Sequence, residues 1–364
     1  MQFLRQLHRW LGLTLALIVV AVSISGGLLL FRAPYYAMVY PMMTAPITEA
    51  QIARRADVLS RLEAQWRGVG VQLVKFPRPG MNVYHVWLRD GSQAFVDPNS
   101  GEVIDRWHRY ERLPALLFEL HAHLFADEAG KFINGVAALF VLFMALTGIV
   151  LWWPARASYP LRRSIPQGAA RPQLLRSHAA TGVLAFAPIV LFVATGALMA
   201  FYAPVNRSLS LLIDGREPAQ ADARVLPRAE AALPWSTLLP VIDAVLPEGE
   251  MVYYYPGAAD NARLMFRKRV PGEWHPNGRS YIVLDPYTGG VVQTIDARRQ
   301  GVAVRFMNTI YPLHAATVGG TLMIAAGALA AVALTWLAAG GAWAYLRLLI
   351  LRKRARTPAM RAAA

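Results

Sequence analysis

The 364-residue chain contains no cysteine. That absence excludes a disulfide framework, thiolate-ligated zinc, iron–sulfur clusters and covalently attached c-type haem. Charge is scarce as well: 16% of residues are charged against 55% apolar, and mean hydropathy is positive. A soluble domain of this length rarely has that balance. Negative charge is scarcest, with 22 Asp and Glu against 37 Lys and Arg and a formal net charge of +15. Such an excess can serve nucleic acid. Here the basic residues stand beside long apolar runs, which makes them a record of membrane topology.

Four apolar runs extend over Leu11–Phe31, Phe132–Trp153, Thr181–Tyr202 and Val318–Leu346, each long enough at roughly 20 residues to cross a bilayer. Arg5, His8 and Arg9 precede the first, and Arg32-Ala33-Pro34-Tyr35-Tyr36 follows it. That is a poor cleavage context, so the run is expected to be an uncleaved anchor. Arg5 and Arg9, then Arg156, Arg162, Arg163, Arg171 and Arg176, then Arg347, Arg352, Lys353, Arg354, Arg356 and Arg361 mark one side of a four-span chain as cytoplasmic. The expected order is a first span (1–31), a periplasmic module (32–113) and a second span with a periplasmic extension (114–153). A cytoplasmic loop (154–177), a third span (178–202) and a second periplasmic module (203–305) follow. A fourth span with its own extension (306–346) and a basic cytoplasmic tail (347–364) complete it. The chain ends soon after its fourth span, so an electron donor is expected to be a separate molecule. The spans hold almost no acidic residue, unlike those of a coupled transporter.

Self-comparison exposes an internal repeat. His8-Arg9-Trp10-Leu11-Gly12, Ser25-Gly26 and Phe31 match His178-Ala179-Ala180-Thr181-Gly182, Thr195-Gly196 and Phe201, always 170 positions apart. Leu120-His121-Ala122 and Gly148 match Leu313-His314-Ala315 and Gly341, and Asp97-Pro98-Asn99-Ser100-Gly101 matches Asp285-Pro286-Tyr287-Thr288-Gly289. The fold class expected is a mainly α membrane protein: a four-helix transmembrane bundle of two repeats, each with a periplasmic α+β insertion. Alternation predicts strands at 71–76, 84–88, 264–267 and 280–284, with helices over 48–65, capped by Thr48, and 235–246. The two Asp-Pro segments read as hairpin turns rather than catalytic carboxylates.

Four of the eight histidines recur at equivalent repeat positions: His8 with His178, and His121 with His314. An ionisable side chain on a spanning helix is costly and a functional candidate by default. Two facing imidazoles, an apolar slot and small residues such as Gly12, Gly26, Gly27, Gly182 and Gly196 suit bis-histidine ligation of a noncovalent b-type haem. Zinc fits less well, because two histidines are a poor ligand set, although Glu119 and Asp127 flank His121. His123 competes with His121 as a ligand, and the repeat favours His121. His85, His108 and His275 have no repeat partner and read as surface residues, with the lining of a substrate site as the alternative. Trp274, Tyr253, Tyr254 and Tyr255 are candidates for aromatic lining of a substrate pocket.

Leu7-His8-Arg9-Trp10-Leu11-Gly12, Leu120-His121 with Gly130 and Gly135, Leu146-Thr147-Gly148-Ile149-Val150-Leu151-Trp152-Trp153-Pro154, both Asp-Pro turns and Pro312-Leu313-His314 together resemble the PepSY-associated transmembrane family of iron-regulated inner-membrane proteins, which includes siderophore reductases. At Arg176-Ser177-His178-Ala179 the chain departs from the family's usual Leu-His-Arg. The resemblance implies a bacterial inner-membrane oxidoreductase that reduces a ferric siderophore, of the hydroxamate, ferrioxamine-like kind, in the periplasm. It implies haem b on His8, His178, His121 and His314, one or two per chain, supplied with electrons by a flavin, a quinol or a reductase. A non-enzymatic scaffold whose periplasmic modules bind another protein is the rival expectation. Counting straight through from His121 to Trp153 gives a helix of about 48 Å, which would set His121 well above a hydrocarbon core of about 30 Å.

Overall fold

The computed structural model describes residues 1–158, 160–220, 226, 232–257 and 262–362, with backbone alone from 352 onward. The basic tail side chains Arg352, Lys353, Arg354, Arg356 and Arg361 therefore lie outside the described residues. The chain divides into two compact units. One comprises Met1–Leu30, Leu117–Phe201 and Leu313–Ala364, the other Phe31–Leu116 and Tyr202–Pro312.

In chain order the helices are α1 (Gln2–Leu29), α2 (Arg32–Val39), α3 (Glu49–Ala53), α4 (Arg55–Gln65), α5 (Leu113–His123), α6 (Asp127–Trp152), α7 (Arg171–Leu184), α8 (Phe186–Ala200), α9 (Tyr202–Leu209), α10 (Trp235–Ala244), α11 (Val302–His314) and α12 (Gly320–Ala362). Three are long and apolar enough to cross a membrane: α1, α6 and α12. The pair α7–α8 makes a fourth candidate, bent by 69°. Its break at Ala185 has a chemical cause. Pro188 has no N–H to donate to the Leu184 carbonyl, and its ring crowds that oxygen. The helix here begins at Arg171 and breaks at Ala185, whereas the hydropathy run predicted a single segment over 181–202. Within this unit α12 packs on α1, α7 and α8, and α6 on the same three helices. Small residues carry the packing: Ala185 and Ile189 meet Ala330 and Ala333. A Cβ on Gly27 would stand 2.9 Å from Ala331 Cβ.

The expected extension of the second span is not a straight helix. The chain turns a corner between α5 and α6, where Leu124, Phe125 and Asp127 take φ of 49°, 59° and 47°. Non-glycine residues avoid that left-handed region, so the corner must be held by its surroundings. Ala126 N–H donates to the His123 carbonyl at 2.8 Å, and Asn134 Nδ2 donates to the His121 carbonyl at 2.7 Å. A Cβ on Gly130 would lie 1.6 Å from the His123 oxygen, so only glycine fits there. A second corner separates α11 from α12, with Ala316 at φ 49° and Gly319 and Gly320 at 78° and 56°.

The other unit is built on β1 (Val71–Lys75), β2 (Tyr84–Leu88), β3 (Gln93–Val96), β4 (Val103–Trp107), β5 (Glu250–Tyr255), β6 (Leu264–Arg269), β7 (Ser280–Leu284) and β8 (Val291–Ile295). The sequence predicts two modules, and their strands join in one antiparallel sheet in the order β4-β3-β2-β1-β5-β6-β7-β8. The join is the pairing of Val74 with Tyr254 and Lys75 with Tyr253. It removes the exposed inner edge that each four-stranded meander would otherwise present. Both Asp-Pro segments are hairpin turns, with Gly101 N–H on the Asp97 carbonyl and Gly289 N–H on the Asp285 carbonyl, each at 2.9 Å. Thr48 caps α3 in a reciprocal pair with Gln51, and the helix predicted over 48–65 is divided at Arg54. One sheet face is apolar. Val74, Val86, Tyr254, Phe266 and Ile282 pack there beneath Val58, Leu59 and Leu62 of α4 and Leu238 and Ile242 of α10.

Candidate functional site

The four repeat-matched histidines fall into two pairs. The rings of His8 and His178 have centroids 6.4 Å apart with planes at 80°. Those of His121 and His314 are 5.8 Å apart with planes at 34°. His121, not His123, is the ring that meets His314; His123 Nδ1 is instead 3.1 Å from Glu119 Oε2.

In three of the four rings one nitrogen is committed. His121 Nδ1 is 2.9 Å from the Val22 carbonyl, and His314 Nδ1 is 3.0 Å from the Phe192 carbonyl. A carbonyl only accepts, so both rings carry their proton on Nδ1 and keep a lone pair on Nε2. His8 Nδ1 stands 3.0 Å from Thr147 Oγ1, whose own hydroxyl donates to the Met144 carbonyl at 3.1 Å. That leaves the oxygen to accept, and His8 has the same tautomer. His178 Nδ1 is buried without a partner in hydrogen-bonding geometry; the Leu337 carbonyl is the group it faces. A donated Nδ1–H with a bare Nε2 is the state in which histidine ligates a metal, and the carbonyl or hydroxyl behind it fixes the ring's orientation.

Each ring also lies against a glycine of another helix. A Cβ on Gly26 would meet His121 Cε1 at 2.5 Å, and one on Gly196 would meet His314 Cε1 at 3.1 Å. On Gly148 it would meet His8 Cε1 at 3.6 Å, and on Gly341 His178 Cε1 at 3.5 Å. Val22 and Phe192, Ser25 and Thr195, and Gly26 and Gly196 all stand 170 positions apart in the chain, as His8 and His178 do. Ser25 and Thr195 each donate to the carbonyl that holds the adjacent imidazole, at 3.1 Å.

This arrangement fits an ion held between two imidazoles. A metal–nitrogen bond of about 2.0 Å on each side, with about 1.1 Å from nitrogen to ring centre, puts two axial imidazoles about 6 Å apart centre to centre. Both pairs stand near that spacing. Among the described residues no group of three or more His, Cys, Asp or Glu side chains is placed to hold a metal. The donor set is therefore two imidazoles, which suits a macrocycle that brings its own four equatorial ligands. The corner after His123 also removes the spacing problem. His121 meets α1 at Val22–Gly26, so the two levels are separated by about 21–27 Å of helix rise, inside a hydrocarbon core of about 30 Å.

Of the remaining histidines, His108 is exposed as expected. His275 is buried, at 3% exposure, and stacks on Tyr311 at 4.9 Å. His85 stacks on Trp87 at 3.7 Å and meets Gln93 Oε1 at 2.9 Å. Neither is the surface residue the sequence suggested: His85 lies on a covered face of the sheet, and His275, in the loop between β6 and β7, is buried against Tyr311 of α11. Of the candidate pocket aromatics, Tyr254 packs in the apolar core, Trp274 is exposed, and Tyr253 lies on the opposite, polar face. Sequence reading missed a group of cations on that face, Lys75, Arg78, Arg267 and Arg279, which nothing marks by repeat or motif.

No curated protein matches the chain. The family model described as the PepSY-associated TM region matches residues 5–347, which takes in every helix and strand named above apart from the ends of α1 and α12, and the chain belongs to that membrane-protein family.

Proposed function

We propose that this protein is an inner-membrane b-type haem protein of a bacterium that carries electrons across the bilayer to a ferric siderophore on the periplasmic side. The observation that carries the reading is the pairing of imidazoles at two levels. His8 with His178 and His121 with His314 are each spaced for one metal, and three of the four have Nδ1 engaged so that Nε2 is free. The proposal treats the spans as a four-helix bundle of two repeats with both termini cytoplasmic, which the matched His, Gly and carbonyl positions support.

In this reading His8 and His178 hold one haem b and His121 and His314 a second. When bound, haem supplies reversible one-electron Fe(III)/Fe(II) chemistry. The chain's own residues do the rest. Val22, Phe192 and Thr147 fix the imidazole tautomers, and Gly26 and Gly196 admit the rings against α1 and α8. The apolar helices exclude water, which tunes the potential. A reduced flavin, quinol or reductase at the cytoplasmic side is the electron source. One electron converts siderophore-bound Fe(III) to Fe(II), which hard oxygen donors such as hydroxamates hold less tightly. The hydroxamate preference rests on family resemblance.

The test is a dithionite-reduced minus oxidised visible spectrum of detergent-purified protein, with haem quantified per chain. Two haems are expected, with one lost in His8→Ala or His178→Ala and the other in His121→Ala or His314→Ala. Reduction of ferrioxamine, followed by ferrous-ion capture with a chromogenic chelator, should be lost with either haem. Protein made with ample haem supply that binds none would overturn the reading and leave the scaffold role.

A further inference from the structure

The polar face of the sheet holds chemistry that the haem reading leaves unused. Strand register sets His85, Lys75, Tyr253, Arg267 and Tyr281 in one row across β2, β1, β5, β6 and β7. Alternation puts this row opposite the apolar core, and such a face is ordinarily wet. Here Lys75 and Arg267 are each only 8% exposed. Two cations have been taken out of water, a costly placement unless something pairs them.

Their partners in the protein are neutral. Lys75 Nζ donates to Asn277 Oδ1 at 2.9 Å and lies 5.0 Å from the centre of the Tyr253 ring. Arg267 Nε donates to the Gly278 carbonyl at 2.6 Å, with Cζ 5.5 Å from the centres of both Tyr253 and Tyr281. Arg78 Nη1 reaches the same Asn277 oxygen at 3.4 Å, Arg32 Nη2 donates to Tyr311 Oη at 3.2 Å, and Arg279 Cζ lies 5.5 Å from the Tyr202 ring. Among the described residues none of these five cations is in a salt bridge. Glu273, the carboxylate whose field reaches Arg267, is occupied by the backbone N–H groups of Val270 and Arg279.

Buried donors without an acceptor at the Arg267 end of this face are Arg267 Nη2, Arg279 Nε and His275 Nε2. The histidine is a donor there because Asn277 N–H donates to its Nδ1 at 3.2 Å, which leaves the ring proton on Nε2. Burial and then the field of Arg279, Arg267 and Lys75 push the His275 pKa down to about 2. Burial, with Arg78, Arg32 and Arg267, pushes Lys75 down to about 6. A bound anion would offset the like-charge part of both shifts.

We infer that this face is a binding site for an anion carrying at least two acceptor oxygens, carboxylate or phosphate, taken by the Arg267 and Arg279 guanidiniums and by His275 Nε2–H, with Tyr253 and Tyr311 as its aromatic walls. Guanidinium is the group suited to such ligands, since its fixed fork of N–H donors matches paired oxygens. The four guanidiniums of Arg32, Arg78, Arg267 and Arg279, without counter-ions among the described residues, reject a cationic ligand by the same field.

The experiment is isothermal titration of the detergent-purified full chain with citrate and with inorganic phosphate. Saturable binding of one anion per chain is expected, weakened at least tenfold in Arg267→Gln and in Arg279→Gln. If Arg267→Gln fails to fold, Arg279→Gln carries the test, because that side chain is only partly buried. A thermal-melt readout separates binding from structure: the anion should raise the melting temperature of wild type and leave both variants unmoved. Stronger binding of citrate assigns carboxylate, and stronger binding of phosphate assigns phosphoryl oxygens. No saturable binding of either probe, or wild-type affinity in the variants, would overturn the inference.

Discussion

The two histidine pairs are written alike in the sequence and held differently in the structure. At His121–His314 both Nδ1 atoms are fixed by backbone carbonyls; Gly26 leaves no room for a methyl group against His121, and Gly196 leaves only a tight fit against His314. At His8–His178 one Nδ1 rests on the Thr147 hydroxyl, the other has no side-chain partner, and the facing glycines leave ordinary van der Waals space. Thr147 corresponds by repeat to Gly340, so His178 has lost the hydroxyl that serves His8. A repeated letter therefore does not carry a repeated demand. Gly26 is a steric requirement, whereas Gly148 is a convenience.

The sharpest way to break this contrast is Gly26→Val against Gly148→Ala. A branched Cβ 2.5 Å from the present position of His121 Cε1 has to displace the ring, so the first variant should lose one haem per chain by pyridine haemochrome assay. The second should keep both. Next comes Thr147→Val, which removes the acceptor behind His8; loss of such a support weakens metal retention about 10- to 100-fold. Haem transfer to a competing apoprotein should accelerate from the His8–His178 site and stay unchanged at the other.

Acid provides a third probe, in the sheet unit that holds neither pair. Burial holds the His85 pKa down to about 3 and the His275 pKa down to about 2. The unfolded chain takes up these protons near pH 6.5, well before the folded one does, so folded stability falls as pH drops from about 6.5 to 3. Denaturant titrations at pH 7 and pH 4.5, read by tryptophan fluorescence, should show a lower midpoint at the acid value. His275→Phe should flatten part of that slope. The smallest effect is expected from Ser25→Ala. Ser25 only adds a hydroxyl to a carbonyl that already accepts from its own helix and from His121. About 0.5–1 kcal/mol is expected, as a shift of one or two degrees in melting temperature.

Much of this was legible in the sequence because segments that match at a fixed offset let the chain be compared with itself. His8, His178, His121 and His314 stood out by offset alone, and hydropathy found the spans. The corner at Leu124–Asp127 was hidden because nothing in Leu-Phe-Ala-Asp announces left-handed backbone; the glycine that permits the corner, Gly130, lies in the following helix. The single sheet was hidden because two residue pairs join the two halves, Val74 with Tyr254 and Lys75 with Tyr253. The cationic row was missed because alternation says which side a residue faces, and only the tertiary fold says whether that side is covered.

The corners have one further consequence, for the order in which the protein is made. His8 and His178 both ride on helices that begin before any residue of the second half of the sheet is synthesised. His121 must wait for His314, which ends α11, after the last strand. On a ribosome feeding the membrane, the first pair is complete almost two hundred residues before the chain is. The second pair closes only once both halves of the sheet have emerged. If the pairs hold haem as proposed, loading would thereby have a sequence in time, with the level nearest the amino terminus served first.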